Sequence, residues 1–333
     1  MTLIGYAAAL EQFHPTDLLG YSQLAEEYGF GGVMAADHFQ PWVPAQGHNA
    51  FVWSWMSSLG ERTRNLTFGP GVTCPSFRYH PSVVAQAAAT LGAMYPGRFW
   101  LGLGSGEALN EHVVGGVWPE AHVRLRMMQE AIDIIKKLLS GEVVRHDKGE
   151  FFTMERVKLW TLPEQPVPIL VATAGPVTAK WTGQHCDGII TPGASIEKLK
   201  MVLGKFDEGA RLAGKDPATM PKMLQLHMSW AETQEEATQS AMTEWPNGGM
   251  PFPKQDIRNP EDFAEIAKLV RPENFNNRML ITPDWDEHLA YIQQFVDLGF
   301  SEIHVHNVGR NQQQFIREFS RNVIVKLKNE VKS

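Results

Sequence analysis

Asp37, His38 and Trp42 fall within the string AADHFQPW, directly after the apolar run Gly32–Ala36. A histidine there can move a proton near neutral pH, and an adjacent carboxylate can set its orientation. The plainer alternative is a ring that satisfies a loop carbonyl, but its position at a strand end beside aromatic residues favours chemistry. A second run, LGLGSGEALN, carries Ser105, Gly106, Glu107 and Asn110. Its glycines imitate a dinucleotide fingerprint, yet the third is misplaced and no acidic residue follows a second strand at the right distance. A tight turn that presents Glu107 and Asn110 to a cavity fits better. Glu11, after the first apolar run, reads alone as a solvated loop charge or as a catalytic carboxylate. In Gly69–Pro75, two glycines and two prolines end an otherwise regular strand around Gly71, Val72 and Cys74. Either the chain bulges there, or it holds a strained peptide, even a cis non-prolyl bond, against a flat ring. Finally, Ala174, Gly175, Val177 and Thr178 lead into a helix N-terminus whose free N–H groups suit an anion.

Other chemistries lack their signatures. The twelve histidines show no HxxxH or HExxH spacing and there is no CxxC, so metal binding is not expected. A serine hydrolase would need a GxSxG elbow, and Gly104-Ser105-Gly106 lacks the spacing. His304 and His306 flank Val305, and only one of the two is expected to face the interior.

Eight short apolar runs would position these residues: Leu3–Ala9, Gly32–Ala36, Leu66–Thr73, Arg98–Gly104, Val167–Ala174, Asp187–Thr191, Met223–Trp230 and Glu302–Asn307. Runs with little alternation suit strands buried on both faces. Helical patterns lie between them. Thr16-Asp17 caps Leu18–Tyr28, Pro81 opens Ser82–Met94, and His122–Leu139 carries a stripe at Met127, Met128, Ile132, Ile135 and Leu138. The expected fold is an α/β (β/α)8 TIM barrel, because an open doubly wound sheet would need a phosphate-binding glycine turn after its first strand. The chain reads as one barrel domain over residues 1–333. Within it, Trp245–Arg278, rich in Pro, Gly and Asn, forms an insertion around residues 240–282 before the last strand.

A net charge of -7 and a pI near 6.0 speak against nucleic acid or an anionic membrane as partner. A small molecule is the default ligand. Cys74 and Cys186 are too few for a disulfide framework and read as reduced thiols of a cytoplasmic protein. The opening MTLIGYAAALEQFHP lacks a basic segment and reaches Glu11 too soon for a signal peptide. No run approaches the ~20 apolar residues of a membrane span.

AADHFQPW, SFRYHP and GLGSGEALNE with its following WPE together resemble the coenzyme F420-dependent glucose-6-phosphate dehydrogenases of the luciferase-like superfamily. The likeness runs along nearly the whole chain. It implies the barrel with insertions, a homodimer and the deazaflavin F420; FMN is the alternative, in a luciferase-like monooxygenase. By that resemblance, Asp37, Cys74, Ser105, Gly106, Asn110, Ala174, Gly175, Val177 and Thr178 contact the cofactor, and Gly71-Val72 forms a cis peptide behind its ring. His38 and Glu107 become the acid–base pair, with Trp42 and Glu11 near the reacting carbon. His38 would take the hydroxyl proton of a carbinol, and a protonated Glu107 would neutralise charge on the reduced ring; swapped roles remain open. The family's sugar-phosphate pocket uses two lysines and an arginine, which fall here on Ser195, Glu265 and Arg278. Glutamate for lysine reverses a charge beside a dianion. The expected substrate is therefore an unphosphorylated alcohol, polyol or sugar, with a true sugar-6-phosphate dehydrogenase as the alternative.

Overall fold

The structure is a computed structural model that describes residues 2–330. Eight strands form the barrel: β1 Leu3–Ala8, β2 Gly32–Ala35, β3 Thr67–Pro70, β4 Leu101–Leu103, β7 Ile169–Ala172, β8 Gly188–Pro192, β9 Lys222–Ser229 and β11 Glu302–Asn307. Between β4 and β7 lies an antiparallel hairpin, β5 Val144–His146 with β6 Met154–Val157, which sequence reading missed. Its strands are short and mostly polar, so no apolar run marked them. The two-residue β10, Leu280–Ile281, pairs with β9.

All barrel pairings are parallel, in the order β3-β2-β1-β11-β9-β8-β7-β4. The ring closes between β3 and β4, where the Phe68 N–H donates to Arg98 O at 2.8 Å and the Thr73 N–H donates to Gly102 O at 3.0 Å. The connecting helices are α1 Pro15–Glu27, α2 Val52–Arg62, α3 Pro81–Met94, α4 Ala108–Glu111, α5 Ala121–Leu139, α6 Pro176–His185, α7 Ile196–Leu212, α8 Gln234–Glu244, α9 Pro260–Ala267, α10 Trp285–Asp297 and α11 Gln312–Phe319. The first begins earlier than Thr16-Asp17 suggested, because His14 is the cap and Pro15 supplies the first helical residue.

Strand alternation divides the core. Val33, Leu103, Val171, Ile189, Leu224 and Val305 point outward and pack with the helices, whereas Met34, Trp100, Leu170, Ile190 and Met223 fill the barrel. One expectation fails here. His304 lies 6.1 Å from the interior ring of Trp100, and His306 reaches the cavity at the barrel mouth, so both histidines face inward. Residues i and i+2 of a strand share a face, and Val305 between them takes the opposite one.

The segment between β9 and β11 builds its own apolar cluster against the mouth. Trp245, Met250, Phe263, Val270, Phe275 and Met279 pack there with Trp42, Leu109 and Val308. Thus Trp42 is held from above by this segment: its ring meets Phe263 edge-on at 5.3 Å.

The β3–β4 closure depends on close backbone approach. A Cβ on Gly102 would overlap the carbonyl oxygen of Pro70, which no rotamer change can move. Gly102→Ala should therefore lower the stability by about 1–3 kcal/mol, read from the urea midpoint; an unchanged midpoint would show that the seam tolerates the added carbon.

Candidate active site

The C-terminal ends of the strands open into a cavity of about 330 Å³. Its walls carry Glu11 after β1, Asp37, His38 and Trp42 after β2, Gly71, Val72 and Cys74 after β3, Ser105, Gly106 and Glu107 after β4, and Asn110 in α4. Ala174 follows β7, His227 belongs to β9 and His306 to β11. The Gly71–Val72 peptide is cis.

Neighbouring strand ends are fastened together by buried polar contacts. The Asp37 carboxylate accepts from Thr73 Oγ1 at 2.6 Å, Arg78 Nη2 at 3.0 Å and the Tyr79 hydroxyl at 3.1 Å. Arg78 also donates through its backbone N–H and Nε to Glu111 at 3.0 and 3.2 Å. Burial pushes the Asp37 carboxyl up, while Arg78 and the two hydroxyls pull it back. Burial works against the Arg78 charge too, but Asp37 and Glu111 outweigh it and hold the guanidinium protonated. A third tie comes from Asn110, whose Oδ1 accepts from the backbone N–H of Phe39 at 2.9 Å and of Gln40 at 3.3 Å. The loop bearing His38 and the turn bearing Glu107 are thus locked to one another.

The titratable groups in this cavity are displaced in opposite directions. Burial, then the charge of Arg78, brings His38 down to about 4, so its imidazole is neutral at pH 7. Its ring lies 5.2 Å from that of Trp42, and its enclosed Nδ1 has no partner among the described residues. Burial raises Glu107 to about 7; nearby Lys254 opposes this and Glu111 adds to it. Glu11 also rises to about 7, from burial first and then, against its own backbone N–H, from the charge of Glu107. Its Oε2 is buried without a partner among the described residues. At neutral pH the cavity therefore offers a histidine ready to accept a proton and carboxyls that still hold part of theirs.

Several expected positions lie elsewhere. Gly175 caps α6, and Val177 in its first turn is exposed, so with Thr178 they sit at a helix N-terminus outside the cavity wall. The Ser195 hydroxyl accepts from Lys198 N and caps α7. Glu265 is turned to solvent, its side chain 72% exposed and paired with Lys268 at 2.6 Å. Arg278 donates to Met250 O at 3.4 Å. The anticipated charge reversal at Glu265 thus does not act on the cavity. The cation whose charge acts on Glu107 is Lys254, whose Nζ donates to Asn247 O at 2.6 Å. Sequence reading missed Lys254, as well as His227, Trp245 and the Arg78–Tyr79 pair. Only SFRYHP gave a trace of the last, without its partners.

Removing one member of a buried ion pair leaves the other uncompensated. Arg78→Met should destabilise the protein by about 3–5 kcal/mol in urea unfolding. A loss below about 1 kcal/mol, the scale of an exposed pair, would mean that the cluster does not hold the strand ends.

A family model described as luciferase-like monooxygenase matches residues 3–302. Similar curated proteins include the F420-dependent glucose-6-phosphate dehydrogenase of Microbacterium testaceum, 36% identical over 326 residues and 97% of each chain. That of Rhodococcus erythropolis is 36% identical over 329 residues, 98% of this chain and 97% of the relative. Among solved structures, an F420-dependent secondary alcohol dehydrogenase in complex with an F420-acetone adduct superposes with a TM-score of 0.91 at 32% identity, covering 97% of this chain and 98% of that one. A coenzyme F420-dependent tetrahydromethanopterin reductase from Methanopyrus kandleri shares the fold, with a TM-score of 0.79 at 19% identity. By these matches the chain belongs to the luciferase-like family and, within it, to the group of the F420-dependent glucose-6-phosphate dehydrogenases.

Proposed function

We propose that this protein is an F420-dependent dehydrogenase that oxidises a carbinol at the barrel mouth, working as a cytoplasmic homodimer. The observation that carries this reading is the opposed displacement of His38 and Glu107 within one cavity. Oxidation of an alcohol needs one group to accept the hydroxyl proton as the carbon gives up hydride.

The residues present fit the cofactor. Enclosed polar atoms without partners among the described residues, His38 Nδ1 and Glu11 Oε2, mark a cavity built to receive polar groups from outside. Small residues at Gly71, Gly104, Ser105, Gly106 and Ala174 leave a wall that a flat ring can approach. In this reading Asp37, Gly71, Val72, Cys74, Ser105, Gly106, Asn110 and Ala174 hold the ring, and Gly175, Val177 and Thr178 at the start of α6 meet the phosphate of the tail. F420, when bound, supplies a deazaflavin whose C5 accepts hydride. His38 takes the hydroxyl proton, for which its neutral imidazole is suited. Glu107 holds a proton that it can share with negative charge developing in the cavity. Trp42 and Glu11 border the reacting carbon.

The substrate is an unphosphorylated alcohol, polyol or sugar, because Ser195 and Glu265 bring no cation to the cavity. A panel of alcohols and sugars, with and without phosphate, followed by loss of F420 absorbance, tests this; strong preference for the phosphorylated member would assign Lys254 and Arg278 to the phosphate instead. His38→Ala should lower turnover by ~10²-fold or more while F420 still binds. Unchanged turnover would remove His38 from the chemistry, and tight FMN binding with none for F420 would overturn the cofactor.

A further inference from the structure

Deeper in the cavity wall, adjacent strands β9 and β11 pair His227 with His306 in register. Their Nδ1 atoms are 2.9 Å apart. His306 Nε2 lies 2.8 Å from Gln12 Oε1, and Gln12 Nε2 donates to Val308 O at 3.0 Å. Trp245 covers both rings, at 4.9 Å from His227 and 4.6 Å from His306. Neither proton-handling group His38 nor Glu107 makes a hydrogen bond to this chain of contacts among the described residues.

The protons in this chain can be placed one after another. A backbone carbonyl only accepts, so the Gln12 atom facing Val308 is the amide nitrogen and the other is oxygen. That oxygen also only accepts, so His306 must carry its proton on Nε2. Burial lowers the basicity of His306, the neighbouring His227 lowers it further, and burial with Lys254 brings His227 down to about 4, so both rings are neutral at pH 7. A neutral ring protonated on Nε2 has a lone pair on Nδ1. His227 must then donate from its own Nδ1, which leaves its Nε2 unprotonated. No protein group among the described residues bonds to that Nε2, and His227 lines the cavity.

We infer that His227 is a specificity residue whose Nε2 accepts a hydrogen bond from a second hydroxyl of the substrate, its tautomer fixed through His306 and Gln12 by the Val308 carbonyl. The inference rests on the dehydrogenase reading and narrows its substrates to diols, polyols or sugars over monohydric alcohols. A fixed acceptor rewards a hydroxyl and leaves an alkyl group against an unpaired nitrogen.

Two measurements test it. In protein labelled with 15N-histidine, the imidazole spectrum of His227 should show a protonated Nδ1 and an unprotonated Nε2, and butane-2,3-diol should shift the Nε2 resonance where butan-2-ol does not. A protonated Nε2, or equal shifts with both alcohols, would overturn the inference without touching the dehydrogenase reading. In kinetics with F420, His227→Phe should lower kcat/KM for butane-2,3-diol about 10-fold more than for butan-2-ol, mainly through KM, as expected for one lost hydrogen bond. Equal losses for both would also overturn it. His227→Gln, which keeps an acceptor, should recover part of the preference, and a Gln variant no better than Phe counts against the assignment. Turnover of neither alcohol would strike the dehydrogenase reading instead, and the spectrum would then decide the role of His227 alone.

Discussion

Arg78 is the contact on which the site depends. From the loop after β3 it reaches Asp37 beyond β2 and Glu111 at the end of α4, and so ties three successive strand ends together. A guanidinium this enclosed is stable only because two carboxylates surround it with charge-assisted hydrogen bonds. The same geometry that satisfies the cation holds the backbone on which His38 and Glu107 sit, and the Asn110 side chain closes the remaining gap. A barrel end made of independent loops would let these groups drift. Here their separation is set by packed elements.

With the frame fixed, the environment assigns the protonation states. Apolar side chains from the segment between β9 and β11 pack beside Trp42 at the mouth, while the interior of the barrel closes the cavity from below. Removing solvent penalises whichever form is charged, so an imidazole and a carboxyl in the same enclosure move in opposite directions. Neither residue type needs special chemistry for this. One cause, burial, yields a base and an acid at the same pH.

Much of this was legible in the sequence, and the failures have physical reasons. Parallel strands buried on both faces leave continuous apolar runs, so β1, β2 and β11 could be placed almost to the residue. Strand ends in such a barrel are where polar residues converge, which is why AADHFQPW and GSGEALN stood out. The hairpin β5–β6 left no apolar run. The orientation of His304 and His306 was misjudged by missing that alternate residues share a face. Interactions that join distant segments leave no local signal: the charge of Lys254 acting on Glu107, His227 against His306, and Arg78 to Glu111. Glu265 is the opposite case, since a position assigned by likeness alone turned out to point at solvent. Spacing along the chain locates strand ends; it does not say which loop residues fold back over them.

The central claim is that burial sets His38 and Glu107 to opposite protonation states. It is tested most directly by the pH dependence of single-turnover F420 reduction with a saturating alcohol substrate. The rate should rise through pH about 4 as His38 loses its proton and fall through pH about 7 as Glu107 loses its own, giving a bell whose alkaline limb disappears in Glu107→Gln. A rate that climbs steadily from pH 5 to pH 9, with the same profile in Glu107→Gln, would contradict it.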